Sequence, residues 1–454
     1  MRHSGPLRAQ VNSSCEPLMD QSAFRGLWAL RPGVTYLNHG SFGPSPRAVT
    51  AARQKWIEEL ESEPMDFLVR KLEGHLDHAR QRLGEAVGTS GDNLILVDNS
   101  TFAMNIVAAS FALAPGDEVL ATNHEYGAVL RIWRERCRKA GANLVVRKLP
   151  ESFVEPAEVV EEFLRGVTVR TRLIVISHIT SPTALILPVE EICRRAKERG
   201  VRVCIDGPHA LAAVPVDIDR LSCDFYCASC HKWLSAPFGS GFLYVQPRWQ
   251  QTVQPVVMSW GSSLSGRPPS WQDEFFWSGT RDPSAFLAVP AAIDFLNNLA
   301  QSAPGVGGPP AAVAGDVARP RRNPAQSAWL AGNDGMEGIG LFRRTSGALV
   351  AHARRKITAV TQLAPIGASA GQWYATMITL PLPETVEDAP HGHIHPLQTA
   401  LWAQFQIEAP VVNWNGRRHI RVSCHLYNDE LEIDRLAGAL AELLKDGTGV
   451  GGGR

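Results

Sequence analysis

Between residues 94 and 245, seven short apolar runs alternate with longer amphipathic stretches, and no other feature narrows the possible folds so far. The runs are Leu94–Val97, Glu118–Ala121, Leu144–Arg147, Leu173–Ser177, Val201–Ile205, Asp224–Ala228 and Gly241–Val245. Phe102–Leu113, Gly127–Ala140, Pro156–Arg165 and Val189–Arg199 lie between them with helical spacing. Strands that alternate with helices pair in parallel, with helices covering both faces. The Val- and Ile-rich run Leu173-Ile174-Val175-Ile176 suits burial on both sides. The predicted fold class is α/β: a large domain with a mainly parallel seven-stranded sheet flanked by helices, then a smaller C-terminal α/β domain. In such sheets ligands collect beyond the carboxyl ends of the strands.

The flanking segments set the expected boundaries. Residues 1–45 read as an N-terminal arm, and Ser45-Pro46 opens a helix with a cap and a first-turn proline. The large domain is expected over 46–300 and closes with a helix at Pro283–Leu296. Residues 301–335 turn abruptly to Gly, Pro and Ala, which can bury little, so a flexible insertion is expected there. The small domain is expected over 336–446, with helices at Leu341–Val360, His395–Phe405 and Asp429–Leu444 and strands at Trp373–Leu380 and Ile420–Ser423. A Gly-rich tail fills 447–454.

Composition removes several classes of partner. Lys+Arg and Asp+Glu are both 45, so no global field draws the chain to nucleic acid or to a membrane surface. No run approaches the length of a membrane span, and the first twenty residues hold no apolar signal core. Eight cysteines, several inside apolar runs, suit a reducing compartment; a cytoplasmic location is expected. Cys223, Cys227 and Cys230 have the spacing of a cluster site. On a strand, however, the first two share a face and the third opposes them, so no metal is expected.

The chemistry gathers at the strand ends. Asp224–Ala228 leads into Ser229-Cys230-His231-Lys232, and burial beside two strands and a turn can lower the lysine's pKa to the range useful for Schiff-base chemistry. Asp206 and His209 follow Val201–Ile205; the carboxylate can keep a protonated ring nitrogen charged. Asp98-Asn99-Ser100-Thr101 precedes a helix start, either as a plain cap or as a phosphate site with two hydroxyls. His124 or Tyr126 offers a ring to stack on a planar group. Arg421, inside an apolar run, is either an edge arginine or a bidentate carboxylate clamp.

In this order the pieces resemble the pyridoxal-phosphate-dependent class V aminotransferase superfamily, of fold type I. The likeness runs from about Val34 to Leu444. Leu37-Asn38-His39-Gly40-Ser41-Phe42-Gly43, Ser62–Leu68, Ser177–Thr183, Ser278-Gly279-Thr280-Arg281-Asp282 and Arg421-Val422-Ser423 are similar to the isopenicillin N epimerase branch. The resemblance implies that Lys232 carries pyridoxal 5'-phosphate as a Schiff base and that Asp206 holds the pyridine nitrogen. It implies His209 near the ring hydroxyl, with Tyr126 or His124 stacked on the ring and Ser181 close to the cofactor. Ser100, Thr101, Ser229 and His231 would hold the phosphate, and Thr280 would reach it from the partner subunit of a homodimer. Arg421 would bind the substrate carboxylate, with Asn38, His39 and Arg281 also facing the substrate.

The expected activity is therefore α-proton abstraction and return on a small amino-acid-type substrate. A C–S lyase is the alternative, and an aminotransferase a more distant one. Epimerisation needs a second acid opposite Lys232, for which His39, His124 and Tyr126 are the candidates. Cysteine desulfurases carry a persulfide cysteine shortly before this arginine and an asparagine where Ser181 stands; Gln404–Arg418 contains no cysteine. That departure argues against sulfur transfer to a protein thiol.

Overall fold

The computed structural model describes residues 22–153, 155–299, 338–367, 371–384, 386 and 393–445. The predicted insertion at 301–335, the tail and the first part of the arm lie outside the described residues. All seven predicted strands form, as β2 (Leu94–Val97), β3 (Glu118–Thr122), β4 (Asn143–Arg147), β5 (Thr171–Ser177), β6 (Arg202–Asp206), β7 (Phe225–Ser229) and β8 (Gly241–Val245). They build one sheet in the order β2-β8-β7-β6-β5-β3-β4, parallel except that β8 runs against both neighbours. The fold is that of fold-type I enzymes.

Alternation along the strands explains the two layers of helix. Leu173, Val175, Cys204 and Cys227 face one side and pack with Met104, Val107 and Trp133 of the helices Ser100–Ser110 and Gly127–Ala140. Ile174, Ile176, Ile205 and Tyr226 face the other and pack with Phe163, Ile192 and Ala196. The edge strand β4 is the exception, with Asn143 and Val146 exposed and the rest half-buried. Asp206 ends β6, Ser229 ends β7 and Ser177 ends β5, so the chemistry-bearing residues share one rim of the sheet. Gly207, directly after Asp206, has no room for a side chain: a Cβ there would stand 2.1 Å from the Tyr226 ring.

A second layer comes from the ends of the chain. β9 (Met377–Pro381), β11 (Val411–Trp414) and β12 (Arg417–Ser423) form an antiparallel sheet covered by the helices Ile339–Thr361 and Glu430–Lys445. β1 (Thr35–Tyr36) pairs in parallel with β10 (Ile407–Glu408). The strands β10 and β11 were not expected from the sequence. Asn415-Gly416, both at positive φ, is the two-residue hairpin signal that marks the β11–β12 turn. The described part of the predicted arm is packed rather than free: Phe24 and Trp28 are buried, and Trp28 lies edge-on to Phe295, His425 and Tyr427.

This core holds an unusual load of neutral imidazole. Burial holds His39 and His124 at about 3 and His178 at about 4. The unfolded chain would protonate all three near the ordinary value of about 6.5. A depressed folded value contributes stability above 6.5 that is lost as the pH falls toward 3–4. Urea midpoints should therefore fall steadily between neutral pH and mild acid; a midpoint that is level across that range contradicts the buried neutral rings.

Candidate active site

Lys232 sits two residues beyond Cys230 on the loop that follows β7. That loop is held by short-range bonds: the Cys230 N–H donates to the Ser240 carbonyl at 2.8 Å, and the Ser235 N–H to the Lys232 carbonyl at 2.8 Å. Ser235 takes a left-handed φ of 57° to close this turn. The Lys232 Nζ lies 3.0 Å from His209 Nε2. Burial, then the Arg421 charge, pushes the lysine amine down from its usual range, opposed by Asp206. Burial pushes the Asp206 carboxyl up, opposed by Lys232. Asp206 is 5% exposed, and among the described residues nothing donates a hydrogen bond to its carboxylate. His209 Nδ1 is likewise buried without a partner.

The loop after β2 faces the lysine loop. Asn99 caps the Ser100–Ser110 helix by accepting from the Phe102 N–H at 2.9 Å. The Ser100 N–H donates to Ser229 Oγ at 2.9 Å, and the Ser229 hydroxyl reaches Ser100 Oγ at 3.2 Å. Thr101 is exposed beside them. A Cβ on Gly241 would stand 2.9 Å from the Asn99 Cα, so the bare backbone lets the two loops close up. His231 lies over Phe238 with a ring-centroid separation of 5.3 Å, and its Nδ1 is buried and unpartnered. A cluster of hydroxyls and backbone at a helix start, a buried unpartnered ring nitrogen and, deeper, an unpaired carboxylate fit a group with phosphate at one end and a protonated nitrogen at the other.

Arg421 enters from β12. One terminal nitrogen donates to the Ser181 carbonyl at 2.8 Å and to Ser181 Oγ at 3.2 Å, and the other to Ser41 Oγ. Its Nε is buried without a partner. Burial lowers the guanidinium to about 10, with Tyr126 opposing. Tyr126 is 49% exposed and close enough to be felt by Arg421. His124 is enclosed instead, with Nδ1 2.8 Å from Thr183 Oγ1 and its ring 4.4 Å from that of Trp414. Ser181 thus meets the arginine, where a cofactor contact had been expected.

The remaining expected residues sit in different surroundings. His39 does not face the substrate side: its Nδ1 meets the Tyr427 hydroxyl at 2.9 Å and its Nε2 the Lys232 carbonyl at 3.0 Å. It is fully buried, with its ring stacked on His425 at 4.2 Å and the Trp233 ring beside both. Arg281 donates from one terminal nitrogen to Asp98 at 2.8 Å and lies over the Phe286 ring, which steadies the residue next to Asn99. Thr280 is exposed on the surface. Asn38 is buried, bridged to Ser423, with Oδ1 unpartnered.

Several site residues escaped the sequence reading. Ser41 lay inside the noted run Asn38–Gly43, but nothing marked it as an arginine partner. Glu125 lay beside Tyr126. It is buried and accepts from the Thr122 and Ser177 hydroxyls at 2.7 and 2.5 Å. Its carboxyl is raised to about 7 by burial, with a smaller push from Asp206. Thr183, Trp414, His425 and Tyr427 are recognisable only by contact.

Residues 35–303 match the family described as aminotransferase class-V. The isopenicillin N epimerase of Streptomyces clavuligerus is 32% identical over 435 residues, 93% of this chain and 98% of that protein. The putative L-cysteine desulfhydrase 2 of Oryza sativa subsp. japonica is 30% identical over 462 residues, 91% of this chain and 85% of the relative. A solved mutant of C-DES with glycine covalently linked to its PLP cofactor shares the fold, with a TM-score of 0.70 at 22% identity over 93% of this chain and 99% of that one. With the family match spanning more than half its length and an epimerase aligned nearly end to end, this chain belongs to the class-V aminotransferase family and is an enzyme that works with pyridoxal phosphate.

Proposed function

We propose that this enzyme removes and returns the proton at the α-carbon of an amino-acid-type substrate, and so epimerises it. The observation that carries the reading is the near end-to-end match to an isopenicillin N epimerase, set beside a lysine amine that burial makes a competent base near neutral pH. Pyridoxal phosphate, when bound, supplies the electron sink that makes the α-proton acidic. Asp206 would hold its ring nitrogen, His209 would lie near its hydroxyl, and Ser100, Thr101, Ser229 and His231 would hold its phosphate.

Arg421 anchors the substrate carboxylate, presented by Ser181 and Ser41. Lys232 moves the α-proton. The candidates for the second acid reduce to Tyr126. His39 has both ring nitrogens engaged behind the lysine backbone, and burial favours the neutral form of His124, whose remaining N–H is a poor acid near neutral pH. Arg281 acts through Asp98 rather than on the substrate. The enzyme works as a homodimer in the cytoplasm, with Thr280 reaching the partner's phosphate site. The exposure of Met258 at 75% and Trp260 at 77% supports a covered face there. Among the described residues no helix is long and apolar enough to cross a membrane.

The second reading, a C–S lyase, draws on the rice desulfhydrase likeness. Transfer of sulfur to a protein thiol has less support: every described cysteine is buried, and burial pushes the Cys424 thiol up.

Three outcomes check this. An L-amino acid incubated with the enzyme in deuterated water should gain α-deuterium and D-configuration; pyruvate and ammonia released from cysteine or cystine in its place would establish the lyase. Lys232→Ala should lose the visible absorbance band of the cofactor-loaded protein, and a retained band would remove the lysine from its role. Arg421→Lys, which gives up the two-nitrogen fork, should raise KM about tenfold to a hundredfold while the visible band survives.

A further inference from the structure

His39 is a buried histidine for which the proposed chemistry has no use, yet it is bound directly to the reactive lysine's backbone. The Lys232 carbonyl can only accept, and it lies 3.0 Å from His39 Nε2, so that nitrogen carries the ring proton. Nδ1 is then an acceptor, and the Tyr427 hydroxyl at 2.9 Å must donate to it. The neighbouring ring is fixed in the same way. The Leu426 N–H donates to His425 Nδ1 at 2.9 Å, which leaves His425 Nε2–H for Ser235 Oγ at 3.3 Å. The two imidazoles stack with centroids 4.2 Å apart, and the Trp233 ring packs beside both, 5.2 Å from His39 and 6.5 Å from His425. Burial keeps His39 neutral, its value held at about 3.

With the Ser235 N–H, His39 brings the Lys232 carbonyl to two donors, matching its two lone pairs. Gly43 passes so close that a Cβ would stand 2.5 Å from His39 Nε2 and 2.8 Å from the His231 carbonyl. Tyr427 and His425 lie on the run that continues directly from β12, the strand of Arg421. Ser423 on that strand donates its N–H to the Leu37 carbonyl at 2.9 Å, just ahead of His39.

We propose that His39 is a positioning residue for Lys232: a neutral ring, protonated on Nε2 and oriented by the Tyr427 hydroxyl, that clamps the lysine's carbonyl and ties the seat of the amine to the strand carrying Arg421. Such a clamp fixes the reach of the amine without exchanging a proton with the substrate. The inference rests on Lys232 being the cofactor-bearing amine. Its first readout needs neither cofactor nor substrate, so its failure is distinguishable from failure of the epimerase reading.

The test is nitrogen-15 NMR of histidine-labelled protein near neutral pH, with His39 assigned by its own substitution, followed by pH titration of the visible band in the loaded protein. The His39 ring should show the Nε2–H neutral tautomer; a charged ring or the Nδ1–H tautomer overturns the proposal. His39→Leu should move the band's titration midpoint and lower kcat about tenfold to a hundredfold, with a smaller change in KM. His39→Gln, whose amide N–H can meet the same carbonyl, should recover most of both. A leucine variant with the parent midpoint and kcat overturns the proposal, as does a glutamine variant as impaired as the leucine one. Should His39→Leu fail to fold, Tyr427→Phe removes a single hydroxyl and must still change the His39 ring signals; unchanged signals overturn the clamp.

Discussion

An amine and a carboxyl placed together at the dry rim of a sheet set the terms for everything around them. Charging either group in that medium is costly, so burial pulls Lys232 and Asp206 toward each other's protonation range, the lysine down and the aspartate up. Left alone, the pair would be a net loss of stability. The surrounding architecture bears it because β5, β6, β7 and β8 are buried along almost their whole length. A rigid apolar sheet leaves the two groups nowhere to relax. The pairing suits the proposed chemistry, in which Lys232 would meet the aldehyde and Asp206 the protonated ring nitrogen of the cofactor.

The rim is assembled from close backbone approach as much as from side chains. Gly207 lets Asp206 turn over the Tyr226 ring, Gly241 lets β8 press against Asn99, and Gly43 lets the 38–43 loop lie on His39. Each gap brings two loops within reach of one ligand. Arg421, arriving from the opposite layer, is held by Ser41 of that same loop and by Ser181 from a further segment. The cleft is thus a meeting of several distant chain segments, and its precision depends on how firmly they are bolted together.

How much of this could be read from the chain follows from the range of each interaction. The seven strands were legible because runs such as Leu173–Ile176 need only local apolar patterning to declare themselves. Asp206 and Ser229 could be placed at the rim because each lies at the end of such a run, and Lys232 follows three residues after Ser229. His39 was misread for the opposite reason: its partners Lys232 and Tyr427 lie 193 and 388 residues away, and no local pattern separates a ring that faces a substrate from one that clamps a carbonyl. The Arg281–Asp98 contact was hidden in the same way, with its partners 183 residues apart. β10 is two residues long and exists only because β1 lies beside it; β11 had a local marker in Asn415-Gly416, and that marker was overlooked.

The pairing of β1 with β10 has a consequence for the birth of the protein. Thr35 leaves the ribosome early, but Ile407, its partner, is made some hundreds of residues later. The same delay separates Trp28 from His425 and Tyr427. The central sheet can therefore collapse around Lys232 during synthesis, while the support beneath the lysine waits for the last tenth of the chain. Such distant closure is slow. The sheet around Lys232 can therefore form from contacts made within residues 94–245, while the support beneath the amine depends on pairings between segments almost 400 residues apart.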